Sequence, residues 1–446
     1  MNTPPHDPLV HDLMQANQLI ADQKLAEAAQ SLNRLQARSP HDPRIYLLGM
    51  RLAEAAGNPA AALKSAQRAV ELSPQWHVST MELGALYSRQ QRHSEAVATA
   101  RTALRLAPGG DRETLARAAA IAAEAGDHPA VVDWTQQALS LGDVSTDRSR
   151  ETLMMRYNLA AALQQMSRHE EAAPMFNELV EIVPDSPGAR IGAILCARAM
   201  NDKAAEQAHA TRLLELDPGR EEYQYAHAVA HGETPKTQPE ATVAELFDNY
   251  AERFDIHLVK GLQYRVPEIV TKRLLELYPD RHFNLLDLGC GTGLLVIFLG
   301  PINGAMVGVD LSENMLKQAA RTRLYARLHH VNVMDALRAT PSEQYEVIVC
   351  NDVFIYVGDL SEAIPNALRI LKPGGHFIFS CETAGEDEAD LVLRQRSNRY
   401  AHKASAVERD CRAAGFVDVE IQHLDKLRME GAQPLPGFIV YARKAA

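Results

Sequence analysis

No C-x-x-C pair occurs in this chain: its five cysteines, Cys196, Cys290, Cys350, Cys381 and Cys411, lie far apart. That spacing argues against a zinc site or a disulfide framework and suits a reducing compartment. No metal site is expected. No apolar run approaches the roughly 20 residues of a membrane helix. The opening "MNTPPHDPLV" carries acid and proline where a secretory signal has a basic end and an apolar run, so no signal peptide is expected. The resulting expectation is a cytoplasmic protein that does not engage a membrane. A basic surplus is missing as well. The net charge of -11 argues against nucleic acid as a partner, because binders of its backbone carry excess positive charge. What the chain does have is length. Its 446 residues exceed what one hydrophobic core usually organises, so two domains are expected.

From Leu9 to about Tyr225 the sequence is rich in alanine and leucine, with few strand-like runs. Prolines set its rhythm: Pro40, Pro74 and Pro108 recur every 34 residues, as do Pro184 and Pro218. Alanines keep the same phase, at Ala62, Ala66 and Ala69, then at Ala96, Ala100 and Ala103. Gly84 and these alanines let paired helices approach, Leu83 and Tyr87 fill the seam, and proline sets the turn to the next unit. A 34-residue period of helix–turn–helix units resembles the tetratricopeptide superfamily. Residues 9–228 are read as about six such repeats, with an insertion near "GDVSTDRSR". The resemblance implies a concave face that holds an extended peptide or a partner helix, with Asn158 pointing into it. A solvated Asn158, a rigid spacer or a dimer surface are the plainer readings, and a homodimer stays open.

The polar, proline-bearing stretch 229–242 ("HGETPKTQPEAT" within it) reads as a linker. Beyond it, in 243–446, strands alternate with helices. Strand candidates are Phe283–Leu288, Ala305–Val309, His330–Val333, Tyr345–Cys350, His376–Cys381, Val417–Ile421 and Phe438–Tyr441. Such alternation predicts a doubly wound parallel sheet with a ligand at the carboxyl ends of its strands.

Those strand ends carry the chemistry. "NLLDLGCGTGLL" places Gly289, Gly291 and Gly293 after Asp287, in a turn that lets backbone approach a ligand. The dinucleotide fingerprint G-x-G-x-x-G does not fit, since its last glycine would fall on Leu294. Asp287 would moreover repel a pyrophosphate. "VGVDLSENM" brings Asp310, a carboxylate able to take both hydroxyls of a ribose, followed by Leu311. Met315 and Met334 can flank a purine, Asp335 in "VMDAL" can accept from its amino group, and "CNDVFIYV" adds Asn351 and Asp352. A nucleoside with an amino-acid tail in place of phosphate suits this acidic first turn.

These residues resemble class I S-adenosylmethionine-dependent methyltransferases, from about Val243 to the C-terminus. The resemblance implies an all-α tetratricopeptide solenoid followed by an α/β Rossmann-like seven-stranded class I methyltransferase domain, with lid helices over 243–280. It implies S-adenosyl-L-methionine as cofactor, held by Asp287, Gly289, Gly291, Gly293, Asp310, Leu311, Met315, Met334, Asp335 and Asn351. In the lid, "FDNYAERFDIHLVKGLQYRVPEIV" offers Tyr250 to the cofactor and Arg265 to its carboxylate; the plain alternative is a packing helix.

With "SNRYAHKASAVERDCRAAGF" included, the chain resembles a bacterial family of tetratricopeptide-containing methyltransferases, although Asn398 stands where glycine is expected. His402, in the R-Y-A-H element, and Tyr356 are candidate catalytic bases; a structural histidine is the competing reading. In-line methyl transfer needs mainly alignment, and a base only where the acceptor must lose a proton. "NDVFIY" lacks the paired prolines of N-P-P-Y or D-P-P-Y, which disfavours amino groups of bases or amides. The array points to a protein or peptide acceptor. The alternatives are a small-molecule enzyme whose array docks a partner, and a scaffold that binds the cofactor without turnover.

Overall fold

A computed structural model describes residues 9–107, 109, 111–141, 146–250, 262–395, 397–431 and 433–446, the side chains of 249 and 250 excepted. The chain divides into two compact units, Met1–His209 and Ala210–Ala446, so the expected boundary at residue 228 falls inside the second.

The first unit is built of helical hairpins. Val10–Ala21 pairs with Leu25–Arg38, Pro43–Ala55 with Pro59–Leu72, and His77–Arg89 with His93–Leu106. Arg112–Glu124 pairs with His128–Ser140 and Arg150–Gln165 with His169–Ile182; Pro187–Ala199 is followed by Lys203–Leu216, which runs across the division. Polar caps followed by proline start several of these helices. Asn58 accepts from the Ala61 amide at 3.0 Å ahead of Pro59, and Asp127 accepts from Ala130 at 3.1 Å. Such caps satisfy amides that have no intrahelical partner, and proline at the first turn gives up none that is needed. The phased alanines, Ala62, Ala66 and Ala69 then Ala96, Ala100 and Ala103, are fully buried. Their small size lets backbones close in: a methyl added at Gly84 would lie 3.3 Å from the Ala96 carbonyl oxygen and the Ala100 nitrogen.

The second unit centres on one sheet. Its strands are β1 Leu285–Leu288, β2 Met306–Asp310, β3 Arg327–His330, β4 Tyr345–Cys350 and β5 Leu371–Thr383, then β6 Leu391–Arg394, β7 Arg399–His402, β8 Phe416–Glu430 and β9 Gln433–Lys444. The order β3-β2-β1-β4-β5 is parallel, β9 and β8 add antiparallel beyond β5, and the hairpin β6–β7 joins at the carboxyl end of β5. Strand order reverses between β1 and β4, which is where doubly wound sheets open a ligand crevice. Alternate residues feed two cores. Leu286, Leu288, Ile348, Phe377 and Phe379 pack with helices Val333–Ala339, Ala363–Ile370 and Ala404–Ala414. Leu285, Val347, Val349 and Ile378 pack with Val266–Leu277 and Leu294–Leu299.

The expected seven strands are present in the order β3-β2-β1-β4-β5-β9-β8, and "LVLR" and "RYAH" add the hairpin β6–β7, making nine strands among the described residues. Two expectations are corrected here. The third strand ends at His330 instead of Val333, since Asn332 caps a helix, its side chain accepting from the Met334 amide at 2.7 Å. The linker is also fastened down. Tyr400 donates to the Pro235 carbonyl at 2.7 Å, the Gln238 amide donates to Tyr356 at 3.0 Å, and Thr237 bridges Val357.

Candidate active site

The chain leaves β1 through a turn of positive φ: +68° at Gly289, +54° at Gly291 and +89° at Gly293. A side chain at Gly289 would also strike Val353, 2.3 Å from its Cγ2. Only glycine tolerates both conditions. Asp310, at the end of β2, ties this turn in place by accepting from the Gly291 amide at 2.8 Å and the Ser312 amide at 2.9 Å. Burial pushes the Asp310 carboxyl up, against the opposing pull of those amides. Asp287 is 2% exposed and accepts from the Tyr325 hydroxyl at 2.6 Å. Its carboxyl is pushed up from an ordinary 3.8 to about 7, chiefly by burial, with neighbouring Asp310 adding to the rise and the Tyr325 bond opposing it. A buried carboxyl with little to neutralise it is a ready partner for a cationic ligand.

These groups open onto a cavity of about 360 Å³, within the range of small-ligand sites. Asp287, Gly289, Gly291, Asp310, Leu311, Met315, Asn351 and Tyr356 all line it. The fastened segment contributes Thr237, Gln238 and Glu240, and the helix Glu240–Tyr250 adds Val243, Leu246 and Phe247. Asp248 fixes that helix to the start of helix Glu313–Arg321, accepting from the Ser312 hydroxyl at 2.5 Å and the Asn314 amide at 3.2 Å. Tyr250 lies outside the described side chains, and Phe254 outside the described residues.

Other expected site residues stand elsewhere. Gly293 caps helix Leu294–Leu299 and shapes the turn without lining the cavity. Asp335 lies on an exposed helical turn, paired with Arg338 at 2.8 Å, and Met334 packs on the core; neither lines the cavity. Asn332 and Glu240 hold that wall instead, joined by a 2.7 Å hydrogen bond. Arg265 is exposed and paired with Glu268. His402 is buried away from the cavity; its Nε2 donates to the Gly358 carbonyl at 2.8 Å, and burial lowers its affinity for a proton. A histidine so placed braces β7 and does not serve as a base. Tyr356 lines the cavity edge-on to Phe247, with burial pushing its phenol up to about 12.

The floor holds a charge network that no sequence motif announced. Arg428, on β8 and 3% exposed, donates to Asp352 at 2.5 Å and to Glu382. Arg399 on β7 donates to Glu382 at 2.6 Å and to Glu430. Burial works against the Arg428 charge, but Asp352 and Glu382 outweigh it and hold the guanidinium above its usual range. These side chains come from strands far apart in sequence, so spacing gives no signal for them.

Residues 286–377 match the family described as "Methyltransferase domain", so the second unit carries a methyltransferase domain. The chain is similar to the biotin biosynthesis bifunctional protein BioCD of Bordetella avium, 28% identical over 173 residues, which are 38% of this chain and 34% of that protein. It is also similar to the ubiquinone biosynthesis O-methyltransferase of Thiobacillus denitrificans, 34% identical over 101 residues, 22% of this chain and 43% of that one. The chain spans between 34% and 62% of the length of such curated relatives. A solved structure of YrrB, a TPR protein with an unusual peptide-binding site, is 15% identical over 44% of this chain and 96% of that chain, with a TM-score of 0.38.

S-adenosylmethionine fits the residues present. Its cationic end suits Asp287, its sugar hydroxyls suit Asp310, and its purine suits the apolar wall of Leu311, Met315 and Val333. Asn351 adds an amide whose nitrogen and oxygen are both buried without a partner among the described residues. Buried polar groups without partners are rare and call for a ligand or water to satisfy them.

Proposed function

We propose that the chain is an S-adenosylmethionine-dependent methyltransferase whose repeat array brings it a protein or peptide acceptor. One arrangement supports this reading above all: the glycine turn, Asp287 and Asp310 converge on a single cavity at the strand-order reversal. The cofactor supplies an electrophilic methyl group on a sulfonium. The chain's part is to hold the two reactants in line and exclude water, which the roof of Val243, Leu246 and Phe247 favours. Asp310 orients the sugar, Asp287 balances positive charge, and Asn332 with Glu240 faces the purine edge.

For the acceptor, support comes from the array. Ala116, Ala120, Met154, Met155 and Asn158 line a separate cavity of about 550 Å³. Met154, Ile191 and Leu195 expose apolar surface on the first helices of successive hairpins. Apolar surface gathered into a contiguous patch is what marks a protein-binding face. The second reading, a small-molecule acceptor, draws on the enclosure of the catalytic cavity and on relatives named for biotin and ubiquinone biosynthesis.

The test is methyl labelling of a lysate from cells lacking the protein, using full-length chain and an Ala120→Arg variant that fills the groove. A labelled polypeptide that disappears with the variant supports the first reading. A labelled small molecule supports the second, and absence of any label defeats both.

A further inference from the structure

The cavity floor says more about the acceptor than the array does. The two cations that line it among the described residues, Arg399 and Arg428, each already hold two carboxylates of the chain itself. A carboxylate on the acceptor would have to compete with those buried pairs. What the floor leaves open is acceptor capacity. Oδ1 of Asp352 is buried without a hydrogen-bond partner among the described residues, while Oδ2 is gripped by Arg428. Beside it, the Asn351 amide leaves its Oδ1 acceptor, and also its Nδ2 donor, without a partner among the described residues. Asp352 itself is held in the left-handed region at φ 59°, its amide donating to Ser380 at 2.8 Å. A sparsely populated backbone conformation fixed from two sides is the kind of strain that gathers at functional positions.

We propose that Asp352 takes the proton from an O–H or N–H acceptor at the point of transfer, so that the site admits protic acceptors and rejects carboxylates. The proposal rests on the methyltransferase reading and adds the acceptor's chemistry to it. In the step, the acceptor's oxygen or nitrogen forms a bond to the methyl carbon. Its proton passes to Oδ1 of Asp352, and the electron pair of the broken carbon–sulfur bond stays with sulfur. The sulfonium charge is thereby discharged and the carboxylate neutralised, so the reaction creates no net charge in a buried site. Arg428 is a positioning residue, fixing which oxygen of Asp352 faces the cavity. Asn351 is placed to hold the acceptor's heteroatom through its free amide edge. Neither earlier candidate base serves: His402 lies outside the cavity, and burial keeps the Tyr356 phenol protonated.

The test uses the full-length protein saturated with S-adenosylhomocysteine, with phenol, aniline and benzoate as probes of similar shape read by calorimetry. Phenol and aniline are expected to bind at least about tenfold more tightly than benzoate, because a site with unpaired acceptors discriminates strongly against a group that cannot donate. In Asp352→Asn that preference should fall toward unity, with S-adenosylhomocysteine affinity unchanged. Methyl transfer to the labelled lysate acceptor should drop by about 100-fold or more, the usual contribution of a positioned base. Benzoate binding as well as phenol in the unaltered protein, or transfer undiminished in a variant that still binds S-adenosylhomocysteine, would overturn the proposal. If Asp352→Asn fails to fold, the probe preference of the unaltered chain decides alone. Failure of the unaltered chain to bind S-adenosylhomocysteine would instead overturn the methyltransferase reading beneath it.

Discussion

Tyr325 donates its hydroxyl to Oδ2 of Asp287 across 2.6 Å, directly under the glycine turn. Asp287 is thus a buried acid that accepts from one side-chain hydroxyl and has no cationic partner among the described residues, and burial lifts it to about 7. The sign of the pH effect follows. Between an ordinary carboxyl's 3.8 and about 7 the folded chain keeps a proton that the unfolded chain has released. The folded state is therefore favoured at the acidic end of that window, and the contribution is lost as pH rises through 7. A cationic ligand reverses the preference, because it binds the ionised form best. S-adenosylhomocysteine, which retains the ammonium, should bind more tightly at pH 8 than at pH 5.5 in calorimetry. Asp287→Asn should bind weakly and flatten the pH dependence, and Tyr325→Phe should shift the midpoint upward. A pH profile identical in Asp287→Asn and the unaltered chain would show that another group is responsible.

The wall facing the purine separates the structure from the expectation most sharply. Glu240 and Asn332 line it, joined at 2.7 Å, while Asp335 points to Arg338 at the surface. Asn332→Ala should therefore weaken S-adenosylhomocysteine by about 1 kcal/mol, the net worth of a typical hydrogen bond. Asp335→Ala should leave the affinity unaltered. The opposite ranking in calorimetry would return the role to Asp335.

That misplacement shows which signals local sequence carries. The glycine turn, Asp310 and the strand–helix alternation behind them were legible because positive φ, a strand end and short apolar runs leave marks on neighbouring residues. So were the helical hairpins, whose proline and alanine phases repeat. Asn332-Val333-Met334-Asp335 also had a readable signature, an Asn cap three residues before an acid at the start of a helix. The apolar Val331 and Val333 drew the reading toward a strand instead. The β6–β7 hairpin was missed because "LVLR" and "RYAH" are short and end or begin in charged residues, so neither makes an apolar run. The Arg428–Asp352–Glu382 network left no trace, since its members meet only when β4, β5 and β8 are assembled.

That network also governs stability. Arg428 is almost fully buried between Asp352 and Glu382, and removing one partner of a buried pair leaves the others uncompensated. Arg428→Met should cost about 3–5 kcal/mol, toward the lower figure because Glu382 keeps Arg399 at 2.6 Å. The loss should shrink in acid, where Glu382 can take a proton. Adding Glu382→Gln and Asp352→Asn to Arg428→Met should recover much of the loss in denaturant titrations. A triple variant as unstable as the single one would mean that Arg428 acts through packing of its stem.

In the array, the ring of Phe176 occupies the space that a side chain at residue 192 would need. A methyl added at Gly192 would lie 2.3 Å from the Phe176 Cζ, and Phe176 is 1% exposed. Neither helix can yield freely: Pro187–Ala199 also seats Gly188 against Tyr157, whose hydroxyl would stand 3.0 Å from an added methyl there. Gly192→Ala should therefore destabilise the chain by about 1–3 kcal/mol through overpacking, although alanine is the better helix former by about 1 kcal/mol. Phe176→Leu makes room for the methyl, so adding Gly192→Ala to it should cost little or even stabilise. The coupling is read from a double-mutant cycle in urea. A Gly192→Ala penalty that is the same with Phe176 or Leu at that position would show that helix contact, and not the ring, sets the requirement for glycine.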